Sequence, residues 1–284
     1  MADLIYTRRP DDRALTFDEV AQLAPAAFNR AAHPETSDRY SPVSTLDAMA
    51  VLRDYGFHPV QAAQKKARTA QANRYAQHLI AFAQDRAEDG ETRPEIVLYN
   101  SHDGGSSLKL FGGAFRFICS NGIVAGDGYE AKARHVGSSI AGVEDMLRDV
   151  AGSLPGLMDR IDRMRGVQID RGQALEFAYN AAALRWEMMP EEWTADDAPR
   201  GSYADDLTAR YLLNTRRRDD AGADLWRTFN RVQEGLIRGG ARIVSFTDKA
   251  PFGKPRKAKA VGSVSESVRI NRDLWNLSGE LIDA

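Results

Sequence analysis

The stretch NSHDGGSSLKLFGGAFRFICSNGIVAGDG, residues 100–128, constrains the fold more than any other part of the chain. Its apolar residues fall in short alternating runs separated by polar, glycine-rich groups, which is strand patterning and not helical patterning. EIVLYN ahead of it reads as a strand, and SLKLF with AFRFICS reads as a hairpin around Gly112-Gly113. Strands joined by turns this short pair antiparallel, so the three form a meander, to which EAKARHV adds a candidate fourth strand.

Helical patterning takes over on both sides. Ile140, Val143, Leu147, Val150, Leu154, Leu157 and Ile161 recur on one side of a long helix over residues 139–165, where Pro155 and Gly156 are expected to break or kink it. Upstream, Thr16 followed by Glu19 forms a capping box that starts a helix over 17–28. Ser44 with Asp47 starts a second helix, which Gly56 ends, and residues 57–64 and 75–83 read as strands. Downstream, helices are expected over 173–188, 203–213, 224–237 and 271–283, with EMMPEEWTADDAPRGS and the basic SFTDKAPFGKPRKAKAVGSVSES as loops. The fold class is therefore α+β: an antiparallel β-meander core followed by a long helix, with a largely helical C-terminal half. The corresponding regions are 1–56, 57–165 and 166–284.

The net charge is −2 and the pI near 6.2, so no overall basic field advertises nucleic acid, and a polyanion would have to be met by a local patch. Cys119 is the single cysteine, which excludes an intrachain disulfide and a cysteine-based zinc site and fits a reducing cytoplasm. The N-terminal MADLIYTRRPDDRA lacks the apolar core of a signal peptide, and no run reaches the roughly 18 apolar residues of a membrane span. A cytoplasmic protein without a membrane partner is expected.

His102 and Asp103 open the turn after the EIVLYN strand, with Asn100 ahead of them and Gly104-Gly105 free to adopt positive φ. His102 could act as a general base oriented by Asp103, although Asp-Gly is also an ordinary turn pair. Asn121-Gly122 makes a second polar turn, and Cys119 beside it reads as a small buried hydrophobe. Lys132 and Arg134 point to one face of the EAKARHV strand and His135 to the other. With Lys109 and Arg116 they could make a basic sheet face for phosphates, with Phe115 and Phe117 available for stacking if exposed, or an ordinary solvated face over a core. The RRRDD run precedes a helix start, where Asp219 or Asp220 can cap N–H groups, or its Arg217 belongs to an arginine patch for phosphate extended by Arg227, Arg231 and Arg238. His102, Asp103 and His135 lack the close spacing of a metal motif, and the five histidines are scattered, so only folding could cluster them. No metal or other cofactor is expected. Phosphate-loop, nucleophile-elbow and dinucleotide fingerprints are missing from the sequence.

NSHDGGSSLKL, GAFRFICSNGIV, RHVG, LWRTFNRVQEGLIRGG and INRDLWNLSGELI, in this order and spacing, resemble the YafZ/YfjQ-like family of prophage and plasmid proteins, a domain of unknown function. The resemblance covers roughly residues 45–283 and implies a bacterial mobile-element origin. A meander followed by a long helix is also similar to the core of Rad52-like and phage annealases, which implies single-stranded DNA binding or annealing by a homo-oligomer without ATP. Two other readings stay open. One is an enzyme, a metal-assisted hydrolase or nuclease built on His102 and Asp103 with Asn121, Arg116 or His135 positioning substrate. The other is a protein-binding antagonist of host defence.

Overall fold

The computed structural model describes residues 13–84, 92–116, 121–124, 130–135, 140–186, 203–247 and 250–282. Its contacts divide the chain into two compact units, Met1–Met158 and Asp159–Ala284.

The first unit opens with α1 (Phe17–Leu23), where Thr16 Oγ1 accepts from Glu19 N and the Glu19 carboxylate accepts from Thr16 N. Pro25 stops this helix short of the expected residue 28, and Pro25–Phe28 is a separate 3-10 turn. Ser44 caps α2 (Thr45–Asp54), and Gly56 at φ 80° lets the chain leave it. Next come β1 (His58–Gln64), the short α3 (Ala70–Asn73), β2 (His78–Ala83), β3 (Thr92–Asn100), β4 (Leu108–Arg116), β5 (Asn121–Val124) and β6 (Glu130–Ala133). All pairings are antiparallel in the order β1-β2-β3-β4-β5, with β6 pairing the first half of β4 and β5 the second.

Gly112-Gly113 is not the hairpin turn expected from the sequence. β4 runs straight through both glycines, which face Ile96 and Glu95 of β3 across the ladder. Neither adopts positive φ, so the pair reads as extended backbone, and β4 pairs with β5 over Gly113–Arg116. The Cys119-Ser120 part of the second expected turn lies outside the described residues; Asn121 and Gly122 themselves lie in β5.

Ile80, Phe82, Ile96, Leu98, Leu108 and Leu110 share one face of the sheet and form a core with Met49 and Leu52 of α2. Val143, Leu147, Val150 and Leu154 close that core from α4 (Ile140–Gly166), one helical stripe at the spacing the sequence shows. Pro155 does not break α4, because Pro155 and Gly156 sit on its exposed side while Leu154 and Leu157 are buried.

The second unit holds α5 (Arg171–Ala183), α6 (Tyr203–Leu212), α7 (Leu225–Arg238), β7 (Arg242–Thr247), β8 (Ala250–Lys257) and α8 (Val264–Ile282). Trp226 stacks on Phe229 at 5.8 Å, and Trp275 of α8 meets Phe229 edge-on at 6.1 Å. The basic segment expected as a loop is instead the β7–β8 hairpin, and α8 begins at Val264, earlier than residue 271. Among the described residues no helix is long and apolar enough to cross a membrane.

Candidate functional site

Of the polar residues singled out in the sequence, Asn100, His102 and His135 lie at one end of the large sheet, on the core face. His78 opens β2 directly opposite Asn100, the last residue of β3. Ile80 and Phe82 alternate with His78 and point into the core, so strand periodicity carries His78 to the same face. His135 lies two residues beyond Ala133, the core-facing partner of Leu108. His102 follows Asn100 by two residues. All four side chains are buried, and the His102 ring sits 5.6 Å from His78 and 6.4 Å from His135, edge-on to both.

Hydrogen bonding fixes the tautomers. His78 Nδ1 lies 2.9 Å from the Ala76 carbonyl, which can only accept, so Nδ1 carries the proton and Nε2 accepts from Thr45 Oγ1 at 2.8 Å. Thr45 Oγ1 in turn accepts from Asn100 Nδ2 at 2.9 Å. Asn100 Nδ2 also donates to the Val43 carbonyl at 3.0 Å, which leaves its 3.3 Å contact with His102 Nε2 as the weaker third claim on two hydrogens. The backbone N–H of Val43 donates to His135 Nδ1 at 2.8 Å, placing the His135 proton on Nε2.

A strap over residues 33–45 lies across this cluster and is tied to it repeatedly. His33 N donates to the His102 carbonyl at 3.0 Å and Ser41 N to the His135 carbonyl at 2.7 Å. The Tyr40 ring packs 4.9 Å from His135, and its hydroxyl reaches the Ser101 carbonyl at 3.3 Å. Burial pushes the Tyr40 phenol up to about 12. It also drives His78 down to about 3 and His102 down to about 4, and lowers His135, so the three imidazoles are neutral at pH 7. His102 Nδ1 and His135 Nε2 are buried without a hydrogen bond.

Asp103 stands apart from the histidines. It is exposed, and its Oδ1 accepts from Ser101 Oγ at 2.7 Å and Gly105 N at 2.8 Å, an Asx-type turn completed by Gly104 at φ 79°. Asn121 pairs with Arg116, eight residues along β4 from Leu108, or roughly 26 Å at the strand rise. Asn100, His102 and His135 therefore meet, together with His78 and Thr45, while Asp103 and Asn121 do not join them. Among the described residues no three His, Cys, Asp or Glu side chains are placed to hold a metal ion. His78 and Thr45 escaped the sequence reading, and their one signal was the alternation of His78 with Ile80 and Phe82.

The cations occupy the other face of the same sheet end. Lys109 of β4 lies directly opposite Lys132 of β6, next to the Leu108–Ala133 pair that faces the core. Lys132 and Arg134 are exposed, and Lys109 is half-buried with Nζ 5.9 Å from the centre of the Phe111 ring. Arg116 stands at the far end of β4, where only its backbone position is described. Arg217 belongs to the second unit, where it pairs at 2.7 Å with buried Glu234.

An antiparallel meander closed by helices, with a buried histidine cluster under a strap, defines an α+β protein whose site polarity is turned inward. Residues 32–275 match the model of the family described as "Domain of unknown function (DUF932)", and the chain belongs to that family. It is 29% identical over 272 residues to the UPF0380 protein YfjQ of Escherichia coli (strain K12), covering 95% of this chain and 93% of that protein. It is 30% identical over 273 residues to the UPF0380 protein YafZ of the same organism, again covering 95% and 93%. No solved structure matches.

Proposed function

We propose that the protein binds single-stranded DNA in the service of a mobile element, gripping the phosphate backbone along the β4/β6 edge of the sheet. The observation that carries this reading is the cross-strand pairing of Lys109 with Lys132, continued by exposed Arg134. Exposed Lys132 and Arg134 stand where they can neutralise phosphates of a bound polyanion. Tyr99, opposite Lys109 on β3, and Phe111, beneath its ammonium, are buried, so the contact is to phosphates and not by stacking of bases on these rings. Annealing by a homo-oligomer belongs to the same reading. The rival enzyme reading needs a base within reach of substrate, and burial of His102 and His135 beneath the strap weighs against it.

The test is fluorescence anisotropy with a labelled oligothymidine across about 50 to 200 mM salt. Lys132→Ala and Arg134→Ala should each make the plot of log affinity against log salt shallower by about 0.7. Absence of binding at low salt, or variants indistinguishable from the parent, would reject the proposal.

A further inference from the structure

The strongest concentration of positive charge lies in the second unit. From Arg238 to Ala260 the chain carries seven Lys or Arg and a single acidic residue, Asp248, in a protein whose net charge is −2. The fold gathers much of this charge at one place, the base of the β7–β8 hairpin. Gly239 and Gly240, at φ 74° and 78°, turn the chain at the end of α7 straight into β7. A side chain at Gly239 would come within 2.6 Å of the Lys259 backbone, so glycine is required for that close approach. Hydrogen bonds from Gly240 N to the Ala258 carbonyl and from Ala258 N to the Ala241 carbonyl, both 2.8 Å, lock the two sides together.

Arg242 and Lys257 consequently stand directly opposite each other in the ladder, a second like-charge pair, with Lys259 two residues beyond Lys257 and Arg256, paired with Ile243, on the other face. Arg216 reaches the same place from before α7, donating to the Gly239 carbonyl at 3.0 Å. All five side chains are exposed, and none has an acidic partner among the described residues. Arg242 also lies over the Tyr211 ring at 5.8 Å, which holds its guanidinium in a defined place. The apolar neighbours Ile243 and Ala258 are buried and so are not offered to a bilayer interface. Three of the five cations are arginines, whose planar forks suit phosphate oxygens.

We infer that the base of the β7–β8 hairpin is a second phosphate-backbone contact surface for nucleic acid, separate from the β4/β6 edge. The inference takes the class of ligand from the reading above, but its residues lie in the other unit, so each surface can be disabled alone.

The experiment compares full-length protein with Arg242→Ala/Lys257→Ala, with Lys132→Ala/Arg134→Ala, and with the charge-retaining Arg242→Lys/Lys257→Arg. Binding to labelled oligothymidine is read against salt, with melting curves to confirm folding. Loss of two contacts at about 0.7 each should flatten the salt slope by about 1.4 and weaken binding about twenty-fold near 0.1 M salt, while the charge-retaining variant binds like the parent. If the hairpin variant binds normally and the β4/β6 variant does not, the inference falls and the first surface stands. The reverse result keeps the hairpin and removes the β4/β6 edge. Loss in both variants supports both surfaces, and absence of binding by the parent at low salt overturns both. Hairpin-dependent retention on phosphatidylcholine–phosphatidylserine vesicles without oligonucleotide binding would reassign the surface to a membrane and overturn the inference.

Discussion

Thr45 is hydrogen-bonded on both sides, giving its hydroxyl proton to His78 Nε2 and accepting from Asn100 Nδ2. Thr45→Val keeps the shape and removes both bonds, leaving a buried acceptor and a buried donor, so a loss of about 2–3 kcal/mol is expected in chemical denaturation. Thr45→Ser keeps the hydroxyl and should lose under about 1 kcal/mol; equal losses would show that the methyl group and not the hydrogen bonds matters. Ion pairs divide by burial in the same way. Arg93 and Glu95 pair at 2.9 Å with both side chains nearly inaccessible, so Arg93→Met, which removes one partner of a buried pair, should lose about 3–5 kcal/mol. Arg30 with Asp47 is exposed, and Arg30→Met should stay within about 1 kcal/mol by the same measurement. Asn100, His102 and His135 were legible in the sequence because turn chemistry and strand alternation mark them. His78 and Thr45 were not, because what places them is the pairing of β2 with β3, 22 positions apart at His78 and Asn100, and the seating of α2, with contacts 33 to 57 positions apart.

At the scale of elements, periodicity was the reliable guide and punctuation the unreliable one. The α4 stripe and the Thr16–Glu19 capping box could be read directly, since each depends on residues three or four apart. Gly112-Gly113 misled because a Gly-Gly pair serves a turn or an extended strand equally well, and only the partner strand decides which. The β7–β8 hairpin was hidden because its lysines, prolines and glycines look like loop composition, while its register comes from pairing back onto the end of α7. Pro155 is the opposite case, a breaker that α4 overrides. Its ring lies on the exposed side and removes one backbone donor, while the buried stripe around it holds the helix. Pro155→Ala restores that donor, and the melting temperature should rise by the equivalent of about 1–3 kcal/mol. A fall would mean that the rigid proline limits the unfolded chain more than it disturbs the helix.

Across the whole molecule, every histidine lies in the first unit, at positions 33, 58, 78, 102 and 135, and the second unit has none. Weakly acidic pH therefore acts on one unit alone. Burial holds His78 near 3 and His102 near 4, below the value of 6.5 for a free imidazole, so the unfolded chain takes up protons first as pH falls. The stability these groups contribute is complete above about pH 6.5 and is lost progressively towards about pH 3. The strap should yield first, because a protonated His135 Nδ1 faces the Val43 N–H donor. Hydrogen exchange at pH 7 and pH 5.5, normalised for intrinsic rates, should show protection falling over residues 33–45 and around His78 and His102. The buried α7 and α8 helices should keep theirs. Uniform loss across both units, or an unchanged strap, would show that the histidine cluster does not govern the acid response.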